Sequence, residues 1–272
     1  MIKHKPIDIE KLFREKGGDG FLFIHHPKTA GRYVATVMYK WQELAPQGLG
    51  PQVEGNKVDG ASRLEIRENA YLAGHSSANS DEVRFYDSKI NTFKGLRFAV
   101  IRNPLDYITS EYYHSHSGSG FSHEMTFPVF LQKWFDSSST QPLLQQTERK
   151  REISLERRKF IYHQSFDATG HPAVDFFIRY EYLEPALNEL WGLRSDSSRV
   201  LTNPKDVESF RHRAGVTSHR PGKQTYTDLY KEWELDWSNI PSGLKEQCEF
   251  WGYNMAGPVD SVVFLDPSEI KK

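Results

Sequence analysis

The amino-acid sequence predicts an α/β fold, and three observations carry that reading. Short, largely apolar runs bounded by turn residues recur along the chain, the pattern of strands buried on both faces. Stretches with helical spacing follow most of these runs. At 272 residues the chain is long enough to bury a large core, and one domain is the simplest count. Within it, residues 1–19 read as a lead-in, 20–254 as the core and 255–272 as an uninformative tail.

The bulk numbers narrow the function classes. A hydrophobic fraction of 38% and a charged fraction of 26% suit a globular protein. The formal net charge of −1 gives no whole-molecule field that would point to nucleic acid or an acidic polymer. The single cysteine, Cys248, excludes an intrachain disulfide framework. The first twenty residues are polar and mixed in charge, and no stretch has membrane length. No Asn-x-Ser/Thr sequon occurs. These features lead us to expect a cytoplasmic protein.

The lead-in holds a short helix around Ile9 to Phe13. Phe21-Leu22-Phe23-Ile24 is the first strand. It runs through His25 and His26 into Pro27-Lys28-Thr29-Ala30-Gly31, a small-residue turn carrying one cation. Val34, Val37, Met38 and Trp41 then recur at i, i+3, i+4 and i+7, the stripe of an amphipathic helix. A strand, a tight turn and a helix make an anion pocket, because the first amides of the helix have no intrahelical partners and its dipole favours negative charge. An ordinary strand-to-helix turn with a solvated Lys28 is the other reading. The motif is not a Walker loop, since no Gly-x-x-x-x-Gly-Lys-Ser/Thr occurs at this turn.

Pro46 to Asn69 has loop composition. Tyr71-Leu72-Ala73-Gly74-His75 reads as a buried strand delivering a histidine to its carboxyl end, where open parallel sheets bind ligands. His75 is there either a base near neutral pH or a helix-capping residue near Ser76 and Ser77. Leu96 to Ile101 is the third strand and leads into Arg102-Asn103-Pro104, with Pro104 suited to the first position of a helix. Leu105, Ile108 and Tyr112 form that helix's apolar stripe, with Asp106, Ser110 and His114 on its polar side. Arg102 and Ser110 face one pocket, or else are a surface arginine and a helix serine.

Ser115 to His123 reads as a loop. Its histidines, with His114, complete no metal-ligand set. Thr126 to Phe135 and Thr147 to Phe166 read as helices, the second with Arg149-Lys150-Arg151 and Arg157-Arg158-Lys159 interleaved with glutamates as a solvated face, or else as the rim for an anionic acceptor. Val174 to Glu181 is a fourth strand. It is followed by a helix bearing Leu183, Leu187, Leu190 and Trp191, with Gly192 as its C-cap. Thr217 to Lys223 is a basic turn before a Tyr226 to Trp233 helix, and Leu244 to Tyr253 is the closing segment.

Taken in order, these segments resemble the sulfotransferases, especially the carbohydrate (family-2-like) branch. The match covers Pro27 to Gly31 of the 5′-phosphosulfate loop. It continues with Gly74-His75, with Arg102-Asn103-Pro104 and Ser110 eight positions beyond the arginine, with Arg179-Tyr180-Glu181, and with Trp251-Gly252-Tyr253, which would make Leu244 to Tyr253 the family's terminal helix. It runs discontinuously from about Phe21 to Tyr253. Two departures stand out, Arg32 where the family usually has Thr or Ser, and Asn103 in place of Asp.

The resemblance implies a P-loop-like, three-layer fold with a central parallel β-sheet flanked by helices. It implies 3′-phosphoadenosine-5′-phosphosulfate as donor and no metal. Lys28 and His75 would be the catalytic pair. Lys28, Thr29, Ala30, Gly31, Arg32 and Tyr33 would hold the 5′-phosphate end, and Arg102 and Ser110 the 3′-phosphate. Ser218, Arg220 and Lys223 would close over the donor, unless they form a plain surface loop. Arg32 either adds a charge-assisted phosphate contact or turns to an anionic acceptor. The acceptor would be a hydroxyl, or an amine or carbamoyl nitrogen, on a glycan or small-molecule natural product. The alternatives are a P-loop-type small-molecule kinase, and a non-catalytic relative that binds a nucleotide or glycan.

Overall fold

A computed structural model of the chain describes residues 4–16, 21–24, 26, 28–31, 33, 34, 37, 70–73, 95–116, 125–135, 160–162, 165, 166, 170–193 and 225–270. These fall into two compact units. A sheet unit comprises Lys5–Ile101, Gln164–Ser218 and Val262–Lys272, and a mainly helical unit comprises Met1–His4, Arg102–His163 and His219–Ser261.

The sheet unit begins with α1 (Ile9–Glu15), capped by the Asp8 carboxylate, which accepts from the Lys11 amide at 2.9 Å. Its strands are β1 (Phe21–Ile24), β2 (Ala70–Ala73), β3 (Leu96–Ile101) and β4 (Phe176–Arg179). They lie in the order β2-β1-β3-β4, all parallel. The mixed α/β class expected from the sequence is present, and the central sheet, expected to be parallel, is mostly so. Described residues on both faces of β3 and β4 are buried, which explains why the strands read as continuous apolar runs rather than as alternation.

The register aligns Phe23, Phe98 and Phe176 across three neighbouring strands. Their rings stack at 5.1 and 5.6 Å between centroids. The same core takes in Ile9 from α1, Val34 and Val37 from the helix after β1, and Leu183, Leu187, Leu190 and Trp191. Those last four are the stripe expected for the helix that follows β4, here α4 (Leu183–Gly192).

Beyond the amino ends of β3 and β4 lies an ion cluster. Asp175 accepts from the Arg97 backbone amide at 2.7 Å, from Arg97 Nε at 3.1 Å and Nη2 at 3.0 Å, and from Lys16 Nζ at 2.7 Å. Burial alone would raise its pKa, but these donors outweigh burial and hold it below the ordinary carboxylate value.

The helical unit contains α2 (Pro104–His116), α3 (Phe127–Phe135), α5 (Tyr226–Glu232) and α6 (Ser242–Phe250). It ends in a two-residue hairpin of β5 (Tyr253–Asn254) and β6 (Gly257–Pro258). Helix α2 packs against α3, α5 and α6.

Several expectations need correction. Residues 160–162, 165 and 166 are not α-helical. Phe160 and Tyr162 are instead pinned by aromatic contacts with Trp251, and the Ile161 amide donates to the Gln247 side chain at 3.3 Å. Tertiary packing sets the backbone there. Helix α2 runs on through Ser115 and His116, and it buries Tyr107, Thr109 and Glu111 as well as Leu105 and Ile108 of its expected stripe, while Tyr112 is half-buried, because three helices pack on it. The fourth strand is shorter than Val174 to Glu181, since Tyr180–Tyr182 form a 3₁₀ turn. Gly192 is helical, and the C-cap is Leu193 in right-handed geometry.

The terminal helix stops at Phe250, and Gly252 takes the left-handed conformation (φ +67°) that reverses the chain after it. The tail supplies β7 (Phe264–Leu265), which pairs antiparallel with β4. Residues 5–7 in turn line β7, with Ile7 N donating to Phe264 O at 3.1 Å and Asp266 N to Lys5 O at 2.9 Å.

Candidate functional site

The strand order makes the carboxyl end of β1 a topological switch point. The chain passes from β1 to β2 on one side, while β3 and β4 extend the sheet on the other. Open α/β sheets bind ligands at such a point, outside the carboxyl ends of the strands. The expected anion turn occupies this place.

The turn has unusual backbone geometry. Lys28 (φ +63°) and Ala30 (φ +60°) are both left-handed, one on each side of Thr29. Left-handed geometry costs an L-residue roughly 1–2 kcal/mol, so tertiary structure must hold it. Thr29 is fully buried, and its hydroxyl donates to the His26 carbonyl at 2.9 Å. The Val34 amide donates to the Ala30 carbonyl at 3.0 Å, which opens the helix at Gly31. Successive amides in turns of this kind line anion-binding concavities, and a helix N-terminus follows directly. Gly31 and Tyr33 are buried.

Two residues that sequence reasoning did not select fix the base of the turn. The His26 ring meets Ser165 Oγ at 2.5 Å, and both side chains are fully buried. Ser165 is itself tied down by Ala173 N, which donates to its carbonyl at 2.7 Å. His26 thus fastens the turn by its carbonyl and the neighbouring chain by its ring. No local signal marks this pair, whose members stand 139 positions apart.

Arg102 and Ser110 belong to the helical unit. Asn103 caps α2 there, its side-chain oxygen accepting from the Leu105 amide at 3.0 Å and its carbonyl from the Tyr107 amide at 2.8 Å. Its amide nitrogen also reaches the Tyr226 hydroxyl at 3.4 Å. An aspartate would cap equally well but could not make that donation, which accounts for Asn103. Asp106 accepts from Arg102 Nε. Arg102, Asp106 and Ser110 recur at four-residue intervals, and the last two share one face of α2. The Tyr162 hydroxyl accepts from the Arg102 amide at 2.9 Å and donates to the Arg102 carbonyl at 2.5 Å.

The turn residues Lys28, Thr29, Ala30, Gly31 and Tyr33 are therefore one continuous piece of the sheet unit, and Arg102 and Ser110 one piece of the helical unit. Arg32, His75, Ser218, Arg220 and Lys223 lie outside the described residues, as do Met38 and Trp41 of the expected stripe. Among the described residues no cluster of His, Cys, Asp and Glu could hold a metal ion, and no helix is long and apolar enough to cross a membrane.

No family model matches the chain, and neither a curated protein nor a solved structure matches it.

Proposed function

We propose that this chain is a sulfotransferase of P-loop-like architecture that uses 3′-phosphoadenosine-5′-phosphosulfate. The observation that carries the reading is the turn after β1. It combines a switch-point location, left-handed residues at Lys28 and Ala30, a helix opening at Gly31 and one lysine. The order and spacing of the remaining motifs point to this donor rather than to a nucleoside triphosphate.

The chemistry is an in-line transfer. A bond forms between the acceptor oxygen or nitrogen and sulfur, while the bond from sulfur to the 5′-phosphate oxygen breaks. 3′-Phosphoadenosine-5′-phosphate leaves. Charge builds on the bridging oxygen of the leaving group, so the protein contributes positioning and electrostatics. Lys28 stabilises that charge. Amides from Thr29 to Tyr33 hold the 5′-phosphate, Arg102 and Ser110 hold the 3′-phosphate, and His75 takes the acceptor's proton. The acceptor is a glycan or small-molecule natural product met in the cytoplasm.

Calorimetric titration with 3′-phosphoadenosine-5′-phosphate tests the reading. We expect binding by wild type and a loss of about a hundredfold in Arg102→Ala, the usual cost of removing one member of a charge-assisted pair. Folded wild-type protein that does not bind this nucleotide refutes the assignment.

A further inference from the structure

We infer that Tyr162 is a positioning residue whose hydroxyl presets Arg102 for an incoming phosphate monoester. The inference rests on the reading of Arg102 as a phosphate ligand, but the geometry behind it does not.

Arg102 occupies a gap in the backbone bonding pattern. The ladder between β3 and β4 ends at the pair Ile101 and Arg179. Helix α2 begins at Pro104, and its capping bonds start from Asn103. The N–H and C=O of Arg102 therefore fall between strand and helix, and both need partners from elsewhere. A single phenol meets both needs, because a tyrosine hydroxyl donates and accepts at once.

That hydroxyl is rigidly held. Tyr162 is fully buried, with the Tyr107 ring at 5.9 Å and the Trp251 ring at 5.2 Å, both edge-on. The Trp251 amide in turn closes on Gln247 O at 3.1 Å, so the cage is anchored to the end of α6. Backbone and side chain of Arg102 are thus fixed independently, the backbone by Tyr162 and Nε by Asp106. A guanidinium fixed in this way loses little conformational freedom when it grips a phosphate, and affinity rises through that saving.

The test compares wild type with Tyr162→Phe, which keeps the ring and removes the hydroxyl, and with Tyr107→Phe, which alters the same aromatic cage without touching Arg102. The first readout is amide hydrogen exchange at Arg102 and needs no ligand. It should quicken in Tyr162→Phe and stay unchanged in Tyr107→Phe. The second readout is affinity for 3′-phosphoadenosine-5′-phosphate. Tyr162→Phe should weaken it about tenfold in the wild-type background. In the Arg102→Ala background, followed by ligand-detected NMR, the change should be less than about twofold.

Unchanged exchange at Arg102 overturns the inference whatever the nucleotide does. Equal losses of affinity in both backgrounds, or no loss in either, overturn it as well. If wild type binds no nucleotide, the sulfotransferase reading falls on its own account, and the exchange experiment alone decides whether Tyr162 holds Arg102.

Discussion

Asp175→Asn offers a test that separates what holds the sheet together from what the sheet presents. The wild-type carboxylate is 7% exposed and accepts four donors, three of them from Arg97. The asparagine keeps one acceptor oxygen, loses the charge and turns an amide toward cationic groups. Breaking a buried ion pair costs about 3–5 kcal/mol. Lys16 is 36% exposed and Arg97 21%, so solvent screens both, Lys16 the more.

We therefore expect a loss of about 2–3 kcal/mol, or roughly 5–10 °C in thermal midpoint. The sign with pH follows from the lowered pKa. The stabilisation is complete above the ordinary value of 3.8 and is lost as pH falls through the lower folded value. The gap between wild type and variant, measured by urea unfolding, should be constant from about pH 7 to pH 5 and shrink below about pH 4. Because the cluster lies at the amino ends of β3 and β4, nucleotide affinity should be unchanged at 25 °C. A gap that persists undiminished at about pH 3, or a parallel loss of nucleotide binding, would refute the reasoning.

Other outcomes follow from the same structure. On the proposed sulfotransferase function, Lys28→Ala should lower the rate of sulfuryl transfer by about 10²–10³, as for one lost donor at a developing oxyanion, measured by single-turnover release of the spent nucleotide. Ala30→Gly should raise stability by up to about 1 kcal/mol in denaturant titration, because glycine accepts φ +60° without a steric penalty. Burial pushes the Cys248 thiol up to about 12. It should resist a thiol reagent at neutral pH and react stoichiometrically once the chain is unfolded in guanidinium.

Legibility in the sequence tracked the range of the interactions. The four parallel strands, the turn at Lys28 and helix α2 were readable because an apolar run, a turn residue and a helical stripe are local signals. The segment 160–166 misled, since it was read as the end of a helix, yet tertiary partners hold Phe160, Ile161 and Tyr162. The long-range contacts that brace the chain were invisible. Tyr162 meets Arg102 across 60 positions, and Asp175 meets Arg97 across 78. Neither pairing leaves a periodic trace. Strand β7 was equally hidden, because two residues cannot show alternation.

That last strand bears on how the chain is made. Leu265 pairs with Phe177 and bridges Pro6, so the outer border of the sheet joins segments from opposite ends of the sequence. During vectorial synthesis, β4 emerges some eighty residues before its outer neighbour. Over that interval its open side offers unpaired amides and carbonyls to any other nascent chain. The closing stitch between residues 5–7 and 264–266 ends the exposure. A variant lacking residues 263–272 should keep the turn at Lys28 and the Arg102 segment in sequence and yet aggregate more during synthesis than the 272-residue chain, as read by the fraction recovered in the supernatant.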